Sequence, residues 1–184
     1  MNAPISSFAP GLLAASHAAK VSLAAPSGRL SLRARGDLSK LNGALGLALP
    51  KQIGAREAAG AVEVLCLGPD EWIIHAPEAD VASIVAACGT VYDALPHSVV
   101  DISGREVTFG IEGPRAAELL TLGAPRDIAS IAVGEGRRTV FDGIAVVLWR
   151  EDDNRFRMDV WHSFAPHVLG LLETGCRELA AETV

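Results

Sequence analysis

The amino-acid sequence predicts an α+β fold with antiparallel sheets, built from two pseudo-repeated β-α-β halves. The first observation is that short segments alternating between apolar and polar residues are interspersed with segments of helical spacing. The second is a local pattern that occurs twice. A strand with tryptophan is followed five residues later by a proline that opens a helix, at Trp72–Pro77 and at Trp161–Pro166. We therefore expect an internal duplication.

Residues 1–20 precede the first half, lack periodicity and predict an irregular N-terminal arm. A helix is expected to start at Asp37, because aspartate is a favoured N-cap residue and the leucines that follow form one apolar stripe. Pro77 opens a second predicted helix and Gly89 ends it. The predicted strands of this half are 29–35, 62–67, 71–75 and 98–102.

The second half repeats this order. Gly113-Pro114 opens a third predicted helix, since proline costs nothing at the first helical position. Asp142-Gly143 predicts a two-residue hairpin turn. Ser163 is expected to cap the last helix and Gly175 to end it. The predicted strands are 105–111, 138–141, 144–150 and 156–161.

These elements predict one α+β domain over residues 21–184, with halves at about 28–102 and 105–175. Each half has the β-α-β order of a ferredoxin-like unit. The 184 residues are enough for a single core, and 49% of them are apolar. Such a surplus in a small protein often marks a surface that is covered by a partner.

Composition excludes several classes of function. The net charge of −6 predicts no broad basic field for nucleic acid. No apolar run is long enough to predict a membrane span. No lysine or arginine precedes the apolar residues near the N-terminus, so we expect no signal peptide. The cysteines, Cys66, Cys88 and Cys176, are odd in number and far apart, which is typical of the reducing cytoplasm.

The sequence offers no complete catalytic or metal-binding set. His162 and His167 are five residues apart and would not share a helical face, so no metal site is expected. No G-x-S-x-G nucleophile motif occurs, and no basic residue stands beside Cys66. Gly134-Glu135-Gly136 lacks the third glycine of a phosphate loop. We therefore predict no catalytic, cofactor-binding or metal-binding residue in this chain.

Three carboxylates leave an alternative open. Asp101, Asp142 and Asp159 lie in or near predicted strands, and one buried beside a ligand could accept a proton. Asp101 is more simply a turn residue that bonds its own backbone, and Asp142 is more simply the first residue of a hairpin.

A docking surface is the other functional hypothesis. Arginine and tryptophan are enriched where proteins bind each other, and several arginines cluster around the last hairpins of this acidic chain. The alternative is that the arginines cover ordinary solvated strands and that the tryptophans belong to the core. The partner-contact candidates are Trp72, Arg137, Arg138, Trp161, His162 and Ser163.

Five sequence blocks occur in an order that resembles the gamma subunit of heterotetrameric sarcosine oxidase, from about residue 28 to 175. They are LGPDEW at 67–72, VDIS at 100–103, IEGPRA at 111–116, RT at 138–139 and VWHSFA at 160–165. The family tends to carry arginine before Ser-Phe-Ala, where this chain has His162. If that arginine makes a charged contact, the histidine weakens it at neutral pH.

The resemblance implies a fold like the folate-binding domain of glycine-cleavage aminomethyltransferases. It also implies an accessory, non-catalytic subunit of a cytoplasmic enzyme that demethylates sarcosine to glycine. Tetrahydrofolate would accept the one-carbon unit, and hydrogen peroxide would be the other product. FAD, FMN, NAD and tetrahydrofolate would belong to partners among the alpha, beta and delta subunits. The alternative is a stand-alone folate-binding protein of the aminomethyltransferase type, with Asp101 as its best candidate carboxylate.

Overall fold

The computed structural model describes residues 9–182, and the chain divides into two units. Of the described residues, 9–25 and 104–182 form the first unit. The second is the continuous segment 26–103.

The strands are β1 (Gly11–Ala15), β2 (Lys20–Leu23), β3 (Gly28–Ala34), β4 (Arg56–Ala59), β5 (Val62–Gly68), β6 (Glu71–Ala76), β7 (His97–Asp101), β8 (Glu106–Glu112), β9 (Gly136–Phe141), β10 (Ile144–Asp152) and β11 (Arg155–Trp161). The α-helices are α1 (Ser39–Leu45), α2 (Val81–Gly89), α3 (Ala116–Thr121) and α4 (Ala165–Ala181).

The first unit is a six-stranded antiparallel sheet in the order β1-β2-β8-β11-β10-β9. One face packs on α3 and α4. Phe109 and Ile111 of β8 and Met158 of β11 alternate with residues of the other face, as strand geometry requires. Leu169 and Leu172 of α4 meet them in the core.

Helix α4 continues to Ala181, so the prediction that Gly175 ends it was wrong. Gly175 is buried in the helix interior. A Cβ there would lie 2.2 Å from Leu122 Cδ1 and 2.5 Å from Leu119 Cδ1. This glycine lets α3 and α4 approach closely, and sequence alone could not separate that role from a helix stop.

Three predicted helix starts lie earlier than the observed ones, and one of them is Pro77, since α2 begins at Val81. Helix α3 begins at Ala116, because Gly113 has φ +132° and Pro114 lies in a turn. Helix α1 begins at Ser39 rather than at Asp37. The Asp37 carboxylate still accepts from the Ser39 N–H (3.0 Å) and hydroxyl (2.9 Å). The Ser39 N–H bond holds the pKa of Asp37 below its ordinary value.

The second unit is a five-stranded antiparallel sheet in the order β4-β5-β6-β3-β7. Leu32 of β3 and Trp72 of β6 are paired in register and share the core with Leu41 of α1 and Cys88 of α2. A short 3₁₀ turn, Glu78–Asp80, separates Pro77 from α2, and Gly89 is the last residue of α2 as predicted.

The expected irregular arm contains regular structure. Residues 11–15 form β1, and β2 starts at Lys20. Residues 1–8 lie outside the described part of the chain. The segment Gly-Leu-Leu-Ala-Ala does not alternate and has no β-branched residue, so its strand depends on pairing with β2 rather than on local preference.

The predicted α+β fold with antiparallel sheets is confirmed, and so is the hairpin at Asp142-Gly143. Both turn residues have positive φ, +48° and +77°, as a type I′ turn requires. The union of the two halves into a single domain stays a prediction.

Candidate partner-docking surface

Strand β11 ends in an exposed aromatic turn. Val160 faces the core and is fully buried, so Trp161 lies on the other face. Trp161 is the last residue of the strand and is 46% exposed. Residues 162–164 form a turn, and α4 begins at the buried Ala165. Phe164, just before the helix, is 45% exposed. Two large aromatic side chains therefore project from one short turn.

Backbone hydrogen bonds hold this turn in place. The Phe164 N–H donates to the Trp161 carbonyl (2.9 Å), and the Ala165 N–H donates to the His162 carbonyl (3.3 Å). The His162 N–H donates to the Arg105 carbonyl (3.0 Å), which joins the turn to the start of β8. The aromatic pair is thus presented on a fixed backbone, a property that favours binding because little conformational entropy is lost.

The Arg105 side chain supports Trp161. Its Cζ atom lies 5.3 Å from the indole ring centroid, within the range of a cation–π contact. The same guanidinium donates from Nε (3.1 Å) and Nη2 (2.8 Å) to Glu106 Oε1. We call Arg105 together with Trp161–Phe164 the Trp161 surface.

The hydrogen bond of His162 fixes its neutral tautomer. Nδ1 lies 3.1 Å from the Arg105 carbonyl oxygen. A carbonyl only accepts, so Nδ1 carries the hydrogen and Nε2 of the neutral ring is an acceptor. An arginine at this position would offer only donors. Compared with an arginine, a neutral histidine at this position therefore offers a hydrogen-bond acceptor at the surface of the turn.

Ser163 is exposed and does not cap α4, which corrects the sequence prediction. Phe164 occupies the N-cap position, and no side chain accepts a hydrogen bond there. Pro166 lies in the first turn, where the missing N–H would have no acceptor, and this reduces the need for a cap.

Trp72 belongs to the core of the second unit. Its side chain is 2% exposed, and Nε1 donates to the Pro50 carbonyl at 2.7 Å. It presents no surface to a partner, so we do not include it in the docking surface.

Arg137 and Arg138 lie on the edge strand β9, and β10 separates that strand from β11. Arg137 is half-buried and donates to the Gly136 carbonyl (2.7 Å) and to Glu135 Oε2 (2.8 Å). Arg138 is exposed and points to the opposite face, as successive strand residues do. The six predicted candidates therefore occupy three separate places, and only Trp161, His162 and Ser163 are contiguous.

Sequence reasoning named Asp159 but missed the buried polar cluster around it, on the other face of the first sheet. Asp159 is 1% exposed and accepts hydrogen bonds from Thr108 Oγ1 and from Trp149 Nε1, the latter at 2.7 Å. Each carboxylate oxygen thus receives a donor, which compensates for burial of the charge. The hairpin between β10 and β11, which brings Trp149 to Asp159, could have been predicted from the sequence. The pairing of β11 with the distant β8, which brings Thr108 to Asp159, could not.

The other two carboxylates behave as turn residues. Asp101 is exposed, and its Oδ1 accepts from the Ser103 N–H (2.9 Å) and hydroxyl (2.6 Å). Asp142 is exposed in its hairpin, and its Oδ2 lies 2.7 Å from His167 Nε2. Neither carboxylate is buried.

Burial raises the pKa of all three thiols, Cys66, Cys88 and Cys176, so each is protonated at neutral pH. At Cys66 a hydrogen bond with Gly68 opposes part of this shift. Within residues 9–182, no three histidine, cysteine, aspartate or glutamate side chains are placed to share a metal ion. No helix in the same range is long and apolar enough to cross a membrane.

Comparison with known proteins decides the family. The sequence pattern of the sarcosine oxidase gamma subunit family matches residues 36–178. This chain belongs to that family. It is 35% identical over 151 residues to sarcosine oxidase subunit gamma of Arthrobacter sp, covering 78% of this chain and 71% of the relative. It is 32% identical over 172 residues to the gamma subunit of Corynebacterium sp. (strain P-1), covering 90% and 82%.

Solved structures agree with membership of the gamma subunit family. The chain is similar to heterotetrameric sarcosine oxidase from Corynebacterium sp. U-96, solved with pyrrole 2-carboxylate, at a TM-score of 0.81 and 28% identity. That match covers 94% of this chain and 91% of the other. Aminomethyltransferase T of the glycine cleavage system from Bartonella henselae matches at a TM-score of 0.63 and 15% identity, over 79% and 43%. This second match confirms the predicted similarity of fold.

Proposed function

We propose that this chain is an accessory, non-catalytic gamma subunit of a cytoplasmic heterotetrameric sarcosine oxidase, assembled with alpha, beta and delta subunits. The assembly would demethylate sarcosine oxidatively to glycine, pass the one-carbon unit to tetrahydrofolate and form hydrogen peroxide. The single observation that carries the proposal is the family match over residues 36–178. The similarity to a chain of a heterotetrameric sarcosine oxidase over 94% of this chain supports it.

The non-catalytic role is supported by what the reactive side chains already do. Asp159 accepts two hydrogen bonds inside the sheet, and Asp101 stabilises its own turn. The thiols are buried and protonated at neutral pH. The FAD, FMN, NAD and tetrahydrofolate of the reaction would accordingly be held by the partner subunits. The three unpaired, buried cysteines also fit a reducing cytoplasm.

We infer that the Trp161 surface docks on a partner subunit. Exposed tryptophan and phenylalanine supply large contact areas at low entropic cost, and such residues dominate binding energy in many interfaces. Arg105 lies beside them with its charge already paired to Glu106, so covering it costs less than covering a lone cation. Arg138, exposed on the edge strand, is a candidate for a separate contact.

The test is co-expression of the full chain with the three other subunits. We expect the chain to co-purify in one complex whose absorbance shows bound flavin, and to be poorly soluble or self-associating when expressed alone. A well-behaved monomer with no affinity for the large subunits would contradict the proposal.

The stand-alone folate-binding alternative rests on the aminomethyltransferase-like fold, which at 15% identity says nothing of ligand binding. Its candidate carboxylate, Asp101, is exposed and engaged with Ser103. Calorimetric titration of the isolated chain with tetrahydrofolate distinguishes the accessory-subunit proposal from this alternative. We expect no heat of binding above the dilution control, whereas tight binding would favour the alternative.

A further inference from the structure

Three charged side chains lie in a row across one end of the six-stranded sheet. Lys20 of β2 is directly opposite Glu112 of β8, and Glu112 is directly opposite Arg155 of β11. All three lie on the face away from α3 and α4, because successive strand residues point to opposite faces. Their strand neighbours, Val21, Ile111 and Phe156, belong to the helix-facing core. Neighbouring strands are about 4.8 Å apart, so the backbones of Lys20 and Arg155 stand about 10 Å apart with Glu112 between them.

All three side chains are exposed, and they have no partner among the described residues. Within residues 9–182, no side-chain hydrogen bond or ion pair involves Lys20, Glu112 or Arg155. Other charged residues of the same sheet do pair, for example Arg137 with Glu135 at 2.8 Å. Opposite charges that face each other across strands usually attract, so a row left open is a surface feature that calls for an explanation.

The row lines a cleft of about 540 Å³. The turn between β1 and β2 forms one wall, and the turn between β10 and β11 forms another. At the rim, Asp153 is paired with Arg150 (3.2 Å), and Asp152 lies opposite Arg155 in the strand register.

Backbone contacts fix the walls of this cleft. The Gly113 N–H donates to the Asn154 carbonyl (3.0 Å), and the Arg115 N–H donates to the Ala18 carbonyl (2.9 Å). Gly113 has φ +132°, and a Cβ there would lie 2.8 Å from the Ala18 oxygen. A side chain at this position would push the turn between β1 and β2 away from Gly113, so the glycine is required for the shape of the cleft.

We propose that this cleft is a second docking site, filled by a segment of a partner subunit that carries one basic side chain between two acidic ones. The inference rests on the proposed function, because it needs a partner. Such a segment places a carboxylate against Lys20, a cation against Glu112 and a carboxylate against Arg155. A segment of uniform charge is disfavoured, since at least one contact would be repulsive.

The experiment measures the affinity of the full-length chain for the co-expressed large subunits at low ionic strength. The variants are Lys20→Glu with Arg155→Glu, and separately Glu112→Lys. The control is Lys40→Glu with Lys51→Glu, which makes the same change in net charge on exposed residues of the second unit. We expect each cleft variant to weaken binding on the order of tenfold, with the control unchanged.

The design separates pattern from net charge. If only net charge mattered, the acidic double variant and Glu112→Lys would change the affinity in opposite directions, and that result would overturn the inference. Unchanged affinity in both cleft variants would overturn it as well. Failure of the wild-type chain to bind would remove the proposed function and this inference together, whereas binding that survives all variants would remove the inference alone.

A second measurement does not depend on the folding of variants. Acetylation of lysines, read by mass spectrometry, compares the free wild-type chain with the assembled complex. We expect Lys20 to be protected in the complex and Lys40 to stay reactive in both. Equal labelling of Lys20 in the two states would contradict occupation of the cleft.

Discussion

Trp72 and Trp161 have the same sequence setting and opposite structural outcomes. Each lies five residues before a proline that precedes or begins a helix. Trp72 is 2% exposed, whereas Trp161 is 46% exposed. Trp72 shares the helix-packed core with Ile74, whereas Trp161 lies on the face of β11 opposite to the core residue Val160, at the very end of the strand. A shared local pattern therefore does not imply a shared environment.

The two segments also differ in where the strand ends. Strand β6 continues to Ala76, directly before Pro77, and a 3₁₀ turn delays α2. Strand β11 ends at Trp161 itself, and Pro166 is already inside α4. The residue-by-residue match of Trp72 with Trp161 was thus wrong, although both units do consist of an antiparallel sheet with helices on one face. In the first unit the shift leaves an aromatic side chain available for contact.

The largest expected effect is the loss of stability when the buried tryptophan, Trp72, is replaced. Trp72→Ala should lower the free energy of unfolding by about 4 kcal/mol, because it leaves a large cavity and an unbonded Pro50 carbonyl. Trp161→Ala should change it by less than about 1 kcal/mol. Urea denaturation of both variants checks this. Similar losses in the two variants would break the comparison.

The second prediction compares Trp72 with Trp149, the buried tryptophan of the first unit, by removing the hydrogen-bond acceptor of Trp149. Trp149 bonds a carboxylate, Asp159, where Trp72 bonds a backbone carbonyl. Asp159→Ala should cost about 3 kcal/mol, since it removes the acceptor of two buried donors, Thr108 and Trp149. The matched control is Asp142→Asn at the exposed hairpin, where asparagine tolerates positive φ, and it should be nearly neutral. A neutral Asp159→Ala in thermal unfolding would show that water or another group replaces the carboxylate.

The third effect concerns binding rather than stability. Trp161→Ala should weaken affinity for the large subunits on the order of 30-fold, the loss typical of a central aromatic contact. The melting temperature of the free chain should stay unchanged. Phe164→Ala should act in the same direction, and Tyr92→Ala, an equally exposed aromatic in the second unit, serves as control. Equal losses at Trp161 and Tyr92 would contradict a specific surface.

The fourth effect tests helix packing in the first unit. Gly175→Ala should destabilise the chain by about 1–2 kcal/mol, because Leu119 is fully buried and cannot move away from the new methyl group. Gly170→Ala lies in the same helix with open space around it and should stabilise by about 0.5–1 kcal/mol. Changes of the same sign in chemical denaturation would show that α3 and α4 are less closely packed than described.

The smallest effect is at the turn before Trp72. The hydrogen bond from Arg35 holds the pKa of Asp70 below its ordinary value. A lowered pKa in the folded state gives stability that is present above the unfolded pKa and is lost as pH falls through the folded one. Asp70→Asn should therefore make the decline below about pH 4 slightly less steep. An unchanged acid profile in thermal unfolding would show that this exposed pair contributes nothing.

The fold was largely predictable because its signals are local. Alternation located β3 and β8, and Asp142-Gly143 located the hairpin between β9 and β10. Strand β1, with its Gly-Leu-Leu-Ala-Ala sequence, and the four-residue β4 carry too little alternation to be recognised.

The candidate site was less predictable because it depends on long-range register. Val160 and Trp161 are neighbours, and only the pairing of β11 with its sheet decides which of them is exposed. The contact of Arg105 with Trp161 and the row of Lys20, Glu112 and Arg155 join segments far apart in sequence. No local pattern carries that information.

The discontinuous first unit has a consequence for synthesis. During translation, β1 and β2 emerge before the other strands, yet β2 pairs with β8, where Leu23 is opposite Phe109. The continuous segment 26–103 can complete its own sheet while these early strands still lack a hydrogen-bonding neighbour on one side. Because domains generally fold as units during translation, we expect the N-terminal strands to depend on chaperone protection until the second half of the polypeptide appears.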